Sequence, residues 1–158
     1  MFNIFRSKLL LIIAGISLTV AGIIGPTVFI DTMGELNLFQ LTEMMDALKS
    51  LGLPLESTNM YFWIGVVFIS LITLSLIATL YRMYISVWLL AVSGVAIWGV
   101  SYYYYYEWHT KALKAVSAGV ADGGVLATAV KTLHLQWGAW CILGGLLLIV
   151  SATMLRKK

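Results

Sequence analysis

Residues Tyr102 to His109 read Tyr-Tyr-Tyr-Tyr-Tyr-Glu-Trp-His, and they follow directly on a long uncharged apolar segment. Successive residues of an α-helix are rotated by roughly 100°, so five tyrosines in a row place aromatic rings on every side of the helix. A tyrosine combines an apolar ring with a polar hydroxyl, which suits the boundary between lipid and water. This stretch therefore predicts the point at which a membrane-spanning helix leaves the bilayer.

The composition of the chain also indicates a membrane protein. Of its 158 residues, 61% are hydrophobic and 11% are charged, whereas an average soluble domain contains about 25% charged residues. The net charge of +3 does not indicate a nucleic-acid partner, because the basic residues are not gathered into one patch. Cys141 is the only cysteine, so motifs that need cysteine pairs are absent.

Four uncharged apolar segments are long enough to cross a hydrocarbon core of about 30 Å. The predicted spans are residues 9–30, 62–80, 85–105 and 136–155, within a single domain that covers residues 1–158. The first segment is longer than the apolar core of a signal peptide, so we interpret it as a retained helix. The prediction is an all-α integral membrane protein whose four transmembrane helices form an up-down-up-down bundle.

Two polar connections, residues 31–61 and 106–135, are predicted to lie outside the membrane and to contain amphipathic helical segments. In the first connection, apolar residues recur at helical spacing at Leu38, Leu41, Met45 and Leu48. In the second, two short helices are separated at residues 121–124. The first connection is acidic, which indicates a solvated surface or, alternatively, a docking surface for a basic partner.

The charge distribution predicts the orientation of the bundle. All seven acidic residues fall in the two long connections, whereas six of the ten basic residues fall in the short segments on the opposite side. Those six are Arg6, Lys8, Arg82, Arg156, Lys157 and Lys158. By the positive-inside rule both termini are predicted to be cytoplasmic, and the compact inner segments are compatible with a bacterial inner membrane.

Small and aromatic side chains predict how the helices pack and where they meet the interface. Ser17, Ala21 and Gly25 recur every four residues, and Gly144 adjoins Gly145, so both sets are predicted to let helices approach closely. The residues predicted to anchor the protein at the lipid–water boundary are Tyr102, Tyr103, Tyr104, Tyr105, Tyr106, Trp108, Trp137 and Trp140.

The two histidines are the sharpest candidates for a cofactor site. His109 and His134 flank the second connection, so antiparallel helices would bring them to the same end of the bundle. Two histidines can bind haem iron or hold part of a transition-metal site, and the surrounding aromatic residues could line a quinone pocket. The alternative is that both are ordinary interfacial residues. No catalytic motif is present, so enzyme activity is uncertain and the cofactor, if any, is unknown.

No Asp, Glu, Lys, Arg or His lies within the predicted spans, which argues against an ion-coupled transporter. The leading hypothesis is a non-catalytic accessory or scaffold subunit that contacts the bilayer and other membrane subunits or copies of itself. A redox or ligand-binding protein and an oligomeric channel are the alternatives. The topology resembles that of claudin-like tetraspan proteins, but residues 31–61 lack the Trp and the Cys pair of that family, so the likeness is limited to the topology.

Overall fold

The computed structural model describes residues 2–31, 34–43, 60–117 and 124–155. Within these ranges the chain forms five helices, the beginning of a further helix at residues 40–43, and three short strands. The helices are α1 (Phe2–Ile24), α2 (Met60–Leu80), α3 (Tyr84–Ser117), α4 (Val125–Thr132) and α5 (Trp137–Met154). The strands are β1 (Val28–Ile30), β2 (Gly34–Leu36) and β3 (His134–Leu135).

Four helices, α1, α2, α3 and α5, are long and apolar enough to cross a membrane, which confirms the number of predicted helices. They pack in a ring, because α1 contacts α2 and α5 while α3 contacts the same two helices. Phe68, Ile12 and Leu146 are among the side chains buried in the ring's interior. The outward faces are also apolar: Leu10 is 62% exposed and Ile85 is 80% exposed. Helices that are apolar on all sides are compatible with a membrane location.

The largest contact between helices joins α1 to α5, the first and last helices of the bundle. Gly15 lies against Gly145 and Gly22 lies against Gly138, so the two helices are antiparallel. A Cβ atom on Gly22 would lie 2.5 Å from the carbonyl oxygen of Gly138, which leaves room for hydrogen alone. The backbones therefore approach more closely than any larger side chain would allow.

The predicted small residues take different places around this contact. Gly145 lies inside it, Gly144 lies at its edge near Leu18, and Gly25 adjoins the ring of Trp137. Ser17 and Ala21 are exposed and lie outside it. The sequence signal for the observed contact is a seven-residue spacing, which separates Gly15 from Gly22 and Gly138 from Gly145.

The first helix ends earlier than the predicted span. It stops at Ile24, whereas the prediction extended it to residue 30. Pro26 has no backbone N–H and disfavours helical geometry in the residue before it, so the helix cannot continue through it. Residues Val28–Ile30 are β-branched or aromatic and form β1 instead. The all-α prediction is wrong in this respect, although the chain is mostly helical.

The three strands form an antiparallel sheet in the order β2-β1-β3, with β1 in the centre. Backbone hydrogen bonds continue from the sheet into the adjoining helices. The N–H of Gln136 donates to the carbonyl of Thr27, and the N–H of Gly138 donates to the carbonyl of Pro26, each at 2.9 Å. The sheet therefore joins the end of α1 to the start of α5.

Helix α3 continues past the tyrosine stretch. The third span was predicted to end at residue 105, with a separate short helix beyond it, but α3 is uninterrupted to Ser117. No glycine or proline occurs between these points to end the helix. Glu107 and Lys111 form an ion pair one turn apart, with Lys111 Nζ 2.7 Å from Glu107 Oε1. The second predicted helix of this connection is confirmed as α4.

Helix α4 packs on both α3 and β1. We call β1, β2, β3, α4 and residues 106–117 of α3 together the sheet module. At the opposite end of the bundle, residues 81–83 form a tight hairpin between α2 and α3. Arg82 has a φ of 58°, and the N–H of Met83 donates to the carbonyl of Ala78 at 2.8 Å. This left-handed residue and its hydrogen bond end α2 as a Schellman motif.

The start of the predicted amphipathic segment is capped by side chains. The Asn37 side chain accepts from the N–H of Gln40, and the Gln40 side chain accepts from the N–H of Asn37, both at 3.0 Å. This is a capping box, which satisfies two backbone donors at a helix start. Leu38 and Leu41 are buried, as their spacing predicts, whereas Met45 and Leu48 lie outside the described residues.

Replacing Gly22 by alanine should destabilise the fold by about 1–3 kcal/mol, because the added methyl group overlaps the α5 backbone. Gly99→Ala is the matched control, since a Cβ atom on Gly99 meets no atom within 4 Å. Thermal unfolding of both variants in the same detergent measures the difference. Equal melting temperatures for the two variants would contradict the close α1–α5 contact.

Candidate ligand site beneath the sheet

A partly open cavity of about 70 Å³ lies where the bundle meets the sheet. Helix α2 contributes Tyr61 and Phe68 to its wall, α3 contributes Trp98, and α5 contributes Ala139. Val28 from the central strand also lines it. Residues far apart in the sequence therefore converge on one space at the end of the helix ring.

The wall of this cavity is apolar although it contains several polar residues. The Thr27 hydroxyl donates to the carbonyl of Leu36 at 3.2 Å, and the Ser101 hydroxyl donates to a carbonyl of its own helix at 2.7 Å. The indole N–H of Trp98 donates to the carbonyl of Ala139 at 2.9 Å. No charged side chain of the described residues lines the cavity. Its polar groups are thus mostly bonded within the chain, and an apolar guest fits it best.

Two tyrosines of the cavity wall differ in their hydrogen bonding. The hydroxyl of Tyr105 faces the carbonyl of Leu133 at 3.5 Å. The hydroxyl of Tyr61 has no hydrogen bond within the part of the chain that the structure describes, although the ring is partly buried. Buried tyrosines usually place the hydroxyl against a partner. Tyr61 is therefore the group through which the cavity could hold a polar atom.

Aromatic rings line the seam between α3 and α5 beside the cavity. Trp98 and Tyr102 are stacked, with ring centroids 5.3 Å apart and planes inclined by 6°. The ring of Trp140 lies 5.7 Å from that of Trp98. Tyr102 and Trp140 are 40% and 52% exposed, so the cluster runs from the cavity wall to the surface. It therefore connects the cavity wall with the outer face of the bundle.

The residues predicted to anchor the protein at an interface are not equivalent in the structure. Tyr103, Tyr104 and Tyr106 are exposed, whereas Tyr105 packs towards the core. Trp108 is also partly buried against the core. The anchoring role of these residues stays a prediction, and the structure adds a packing role for the two inward rings.

His109 binds the backbone of helix α4. Its Nε2 lies 3.0 Å from the carbonyl oxygen of Val130, and its ring stacks on that of Tyr105 with planes inclined by 6°. A carbonyl only accepts hydrogen bonds, so Nε2 carries the proton when this bond is made. In neutral His109 the lone pair for any further ligand is then on Nδ1.

His134 lies in β3 and makes a different set of contacts. Its Nδ1 lies 2.8 Å from the carbonyl oxygen of Thr132, and its Nε2 lies 3.1 Å from Nε2 of Gln136. The ring also packs against Phe29, with centroids 5.1 Å apart. Both nitrogens are therefore engaged within the chain. Among the described residues no group of three or more His, Cys, Asp or Glu could hold a metal ion.

The described histidines alone thus supply an incomplete metal site, and the cofactor hypothesis stays a prediction. Comparison with known proteins gives no further guide, since no protein-family model, curated protein or solved structure matches the chain. The fold defines a mostly helical protein with four apolar helices and a small sheet fixed to one end of their bundle.

Trp98→Phe should lower the free energy of unfolding by about 1 kcal/mol, because it removes the hydrogen bond from the indole to Ala139. Trp63→Phe makes the same chemical change at a residue that is 60% exposed, and it should have a smaller effect. Chemical unfolding in detergent, followed by circular dichroism, compares the two. An equal loss in both variants would show that the indole bond does not support the cavity wall.

Proposed function

We propose that this protein spans a bacterial inner membrane with its four long helices in an up-down-up-down bundle. Both termini are then cytoplasmic and the sheet module lies outside. Three observations support this orientation: the outward helix faces are apolar, α1 and α5 are antiparallel, and Arg82 lies in the short hairpin at the end opposite the sheet. Exposed tyrosines on α3 mark the outer interface in this arrangement.

The function that the geometry supports best is that of a non-catalytic accessory or scaffold subunit of a larger membrane assembly. The observation that carries it is the hydrogen-bonded attachment of the sheet module to the helix bundle. Besides the bonds from the sheet to α5, the N–H of Asp31 donates to the Thr132 hydroxyl at 3.2 Å, and His109 bonds to Val130. A surface that is already ordered loses little conformational entropy when a partner binds.

The module presents charged side chains well beyond the tyrosines. Lys114 lies nine residues beyond Tyr105 in α3, which is about 14 Å at 1.5 Å per residue. Lys114 and Lys131 are exposed in this region, whereas Lys111 is paired with Glu107. Lysines at this height are beyond the reach of most lipid headgroups, so they favour contact with an acidic surface of another subunit.

Native mass spectrometry of the protein extracted in mild detergent from its own membrane tests this function. We expect further polypeptides at a fixed stoichiometry, and we expect the double variant Lys114→Glu with Lys131→Glu to lose them. The control, Lys114→Arg with Lys131→Arg, keeps both charges and should retain the partner. A chain that emerges alone or only with copies of itself would overturn the accessory role.

A second candidate function is a redox or ligand-binding protein that holds haem or a metal at the outer interface. The bond from His109 Nε2 to a backbone carbonyl favours it, because such bonds orient metal-binding histidines and leave the other nitrogen to the metal. Purified protein should then show a visible absorption band or stoichiometric metal, and His109→Ala or His134→Ala should abolish it. A colourless, metal-free preparation with full function would refute this candidate.

A further inference from the structure

We propose that the cavity beneath the sheet holds the ester region of a bilayer lipid. The ester carbonyl accepts a hydrogen bond from the Tyr61 hydroxyl, and the first methylene groups of the acyl chain occupy the cavity. The inference rests on the proposed membrane placement. It does not depend on a partner subunit.

The hydrogen bonding of the cavity wall determines which kind of molecule can bind in the cavity. The hydroxyls of Thr27 and Ser101 and the indole of Trp98 are already bonded to backbone carbonyls. A water molecule in a cavity needs two to four polar partners, which this wall does not supply. Hydrocarbon needs no polar partner, and it gains dispersion contacts with Phe68, Ile64 and the aromatic rings.

The size of the cavity favours an acyl chain over the ring of a cofactor. Its volume is about 70 Å³. An engineered protein cavity that binds benzene measures about 150 Å³. A haem or quinone ring is therefore too large, whereas a short run of methylene groups fits.

The position of Tyr61 matches the depth of a lipid ester. Tyr61 is the first residue of the apolar part of α2, which spans Tyr61–Leu80. In a bilayer this level lies between the headgroups and the hydrocarbon, where ester carbonyls are found. The hydroxyl of Tyr61 has no partner among the described residues, so a carbonyl oxygen would supply its missing acceptor.

The seam between α3 and α5 gives the lipid a route to this site. The cavity is partly open, and Tyr102 is the lining residue that is also exposed on the outer face of the bundle. Its ring stacks on Trp98, so a chain that enters beside Tyr102 reaches the cavity along an aromatic surface. The apolar outward faces of both helices keep this entrance in contact with lipid.

Competition between two lipids tests the proposed hydrogen bond. The protein is reconstituted into bilayers that contain equal amounts of a diacyl phosphatidylcholine and its dialkyl ether analogue, which lacks the ester carbonyls. After mild extraction, native mass spectrometry counts the retained lipids. We expect one lipid per chain and a preference of about fivefold for the diacyl form, the effect of one hydrogen bond. Tyr61→Phe should abolish this preference, whereas Tyr103→Phe, at an exposed tyrosine outside the cavity, should preserve it.

A second pair of variants tests the cavity itself. Ala139→Leu fills it and should reduce lipid retention at least tenfold, whereas Ala96→Leu adds the same volume at an exposed position of α3. If Ala139→Leu does not fold, the Tyr61 competition decides alone. Wild-type protein that retains no lipid, or equal diacyl preference in wild type and Tyr61→Phe, overturns the proposal. A lone chain that keeps its lipid overturns only the accessory role.

Discussion

The fold depends on the close approach of α1 and α5. These helices are the first and last of the bundle, so their contact closes the ring and brings residues about 120 positions apart in the sequence side by side. The approach is possible because glycines face one another at two levels. Where Gly22 lies against Gly138, next to the sheet, the carbonyl of Pro26 accepts a hydrogen bond from the N–H of Gly138. The same two segments are then close enough for β1 and β3 to pair.

The sheet follows from the requirement that backbone polar groups be satisfied. The chain is not helical just after α1 and just before α5, and both segments lie against the apolar core. Pairing of β1 with β2 and β3 gives these backbone groups partners without solvent. The cavity lies directly beneath, because a sheet three strands wide covers the end of the helix ring without filling it.

The sequence predicts the four long helices because each is a long apolar segment, a signal that does not depend on tertiary contacts. It predicts their ends unevenly: α2 ends at the predicted residue 80, whereas α1 stops before residue 30 and α3 continues past residue 105. Residues 25–30 are uncharged, like residues 9–24 before them, and Pro26 marks the change. The tyrosine stretch was interpreted as the boundary between lipid and water, with a separate short helix beyond it. The helix instead continues to Ser117, because no glycine or proline follows Tyr105 within it.

The candidate site as a whole could not be predicted from the sequence, and the reason is geometric. Its wall combines residues from α2, α3, α5 and β1, and no local pattern in the sequence marks such a convergence. The aromatic residues around Tyr102 were identified, as was their potential to line a pocket. Tyr61, which lies outside that stretch, was not singled out, because a lone tyrosine at the start of an apolar segment is an ordinary feature.

One consequence arises from the continuity of α3. With 34 residues, it is a rod of about 51 Å that begins at the hairpin and ends within the sheet module. A change of tilt by about 10° displaces one end relative to the other by about 9 Å, given that length. Transmembrane helices adjust their tilt to the thickness of the surrounding bilayer. In the proposed membrane placement, the thickness of the bilayer is thereby mechanically coupled to the position of Lys114.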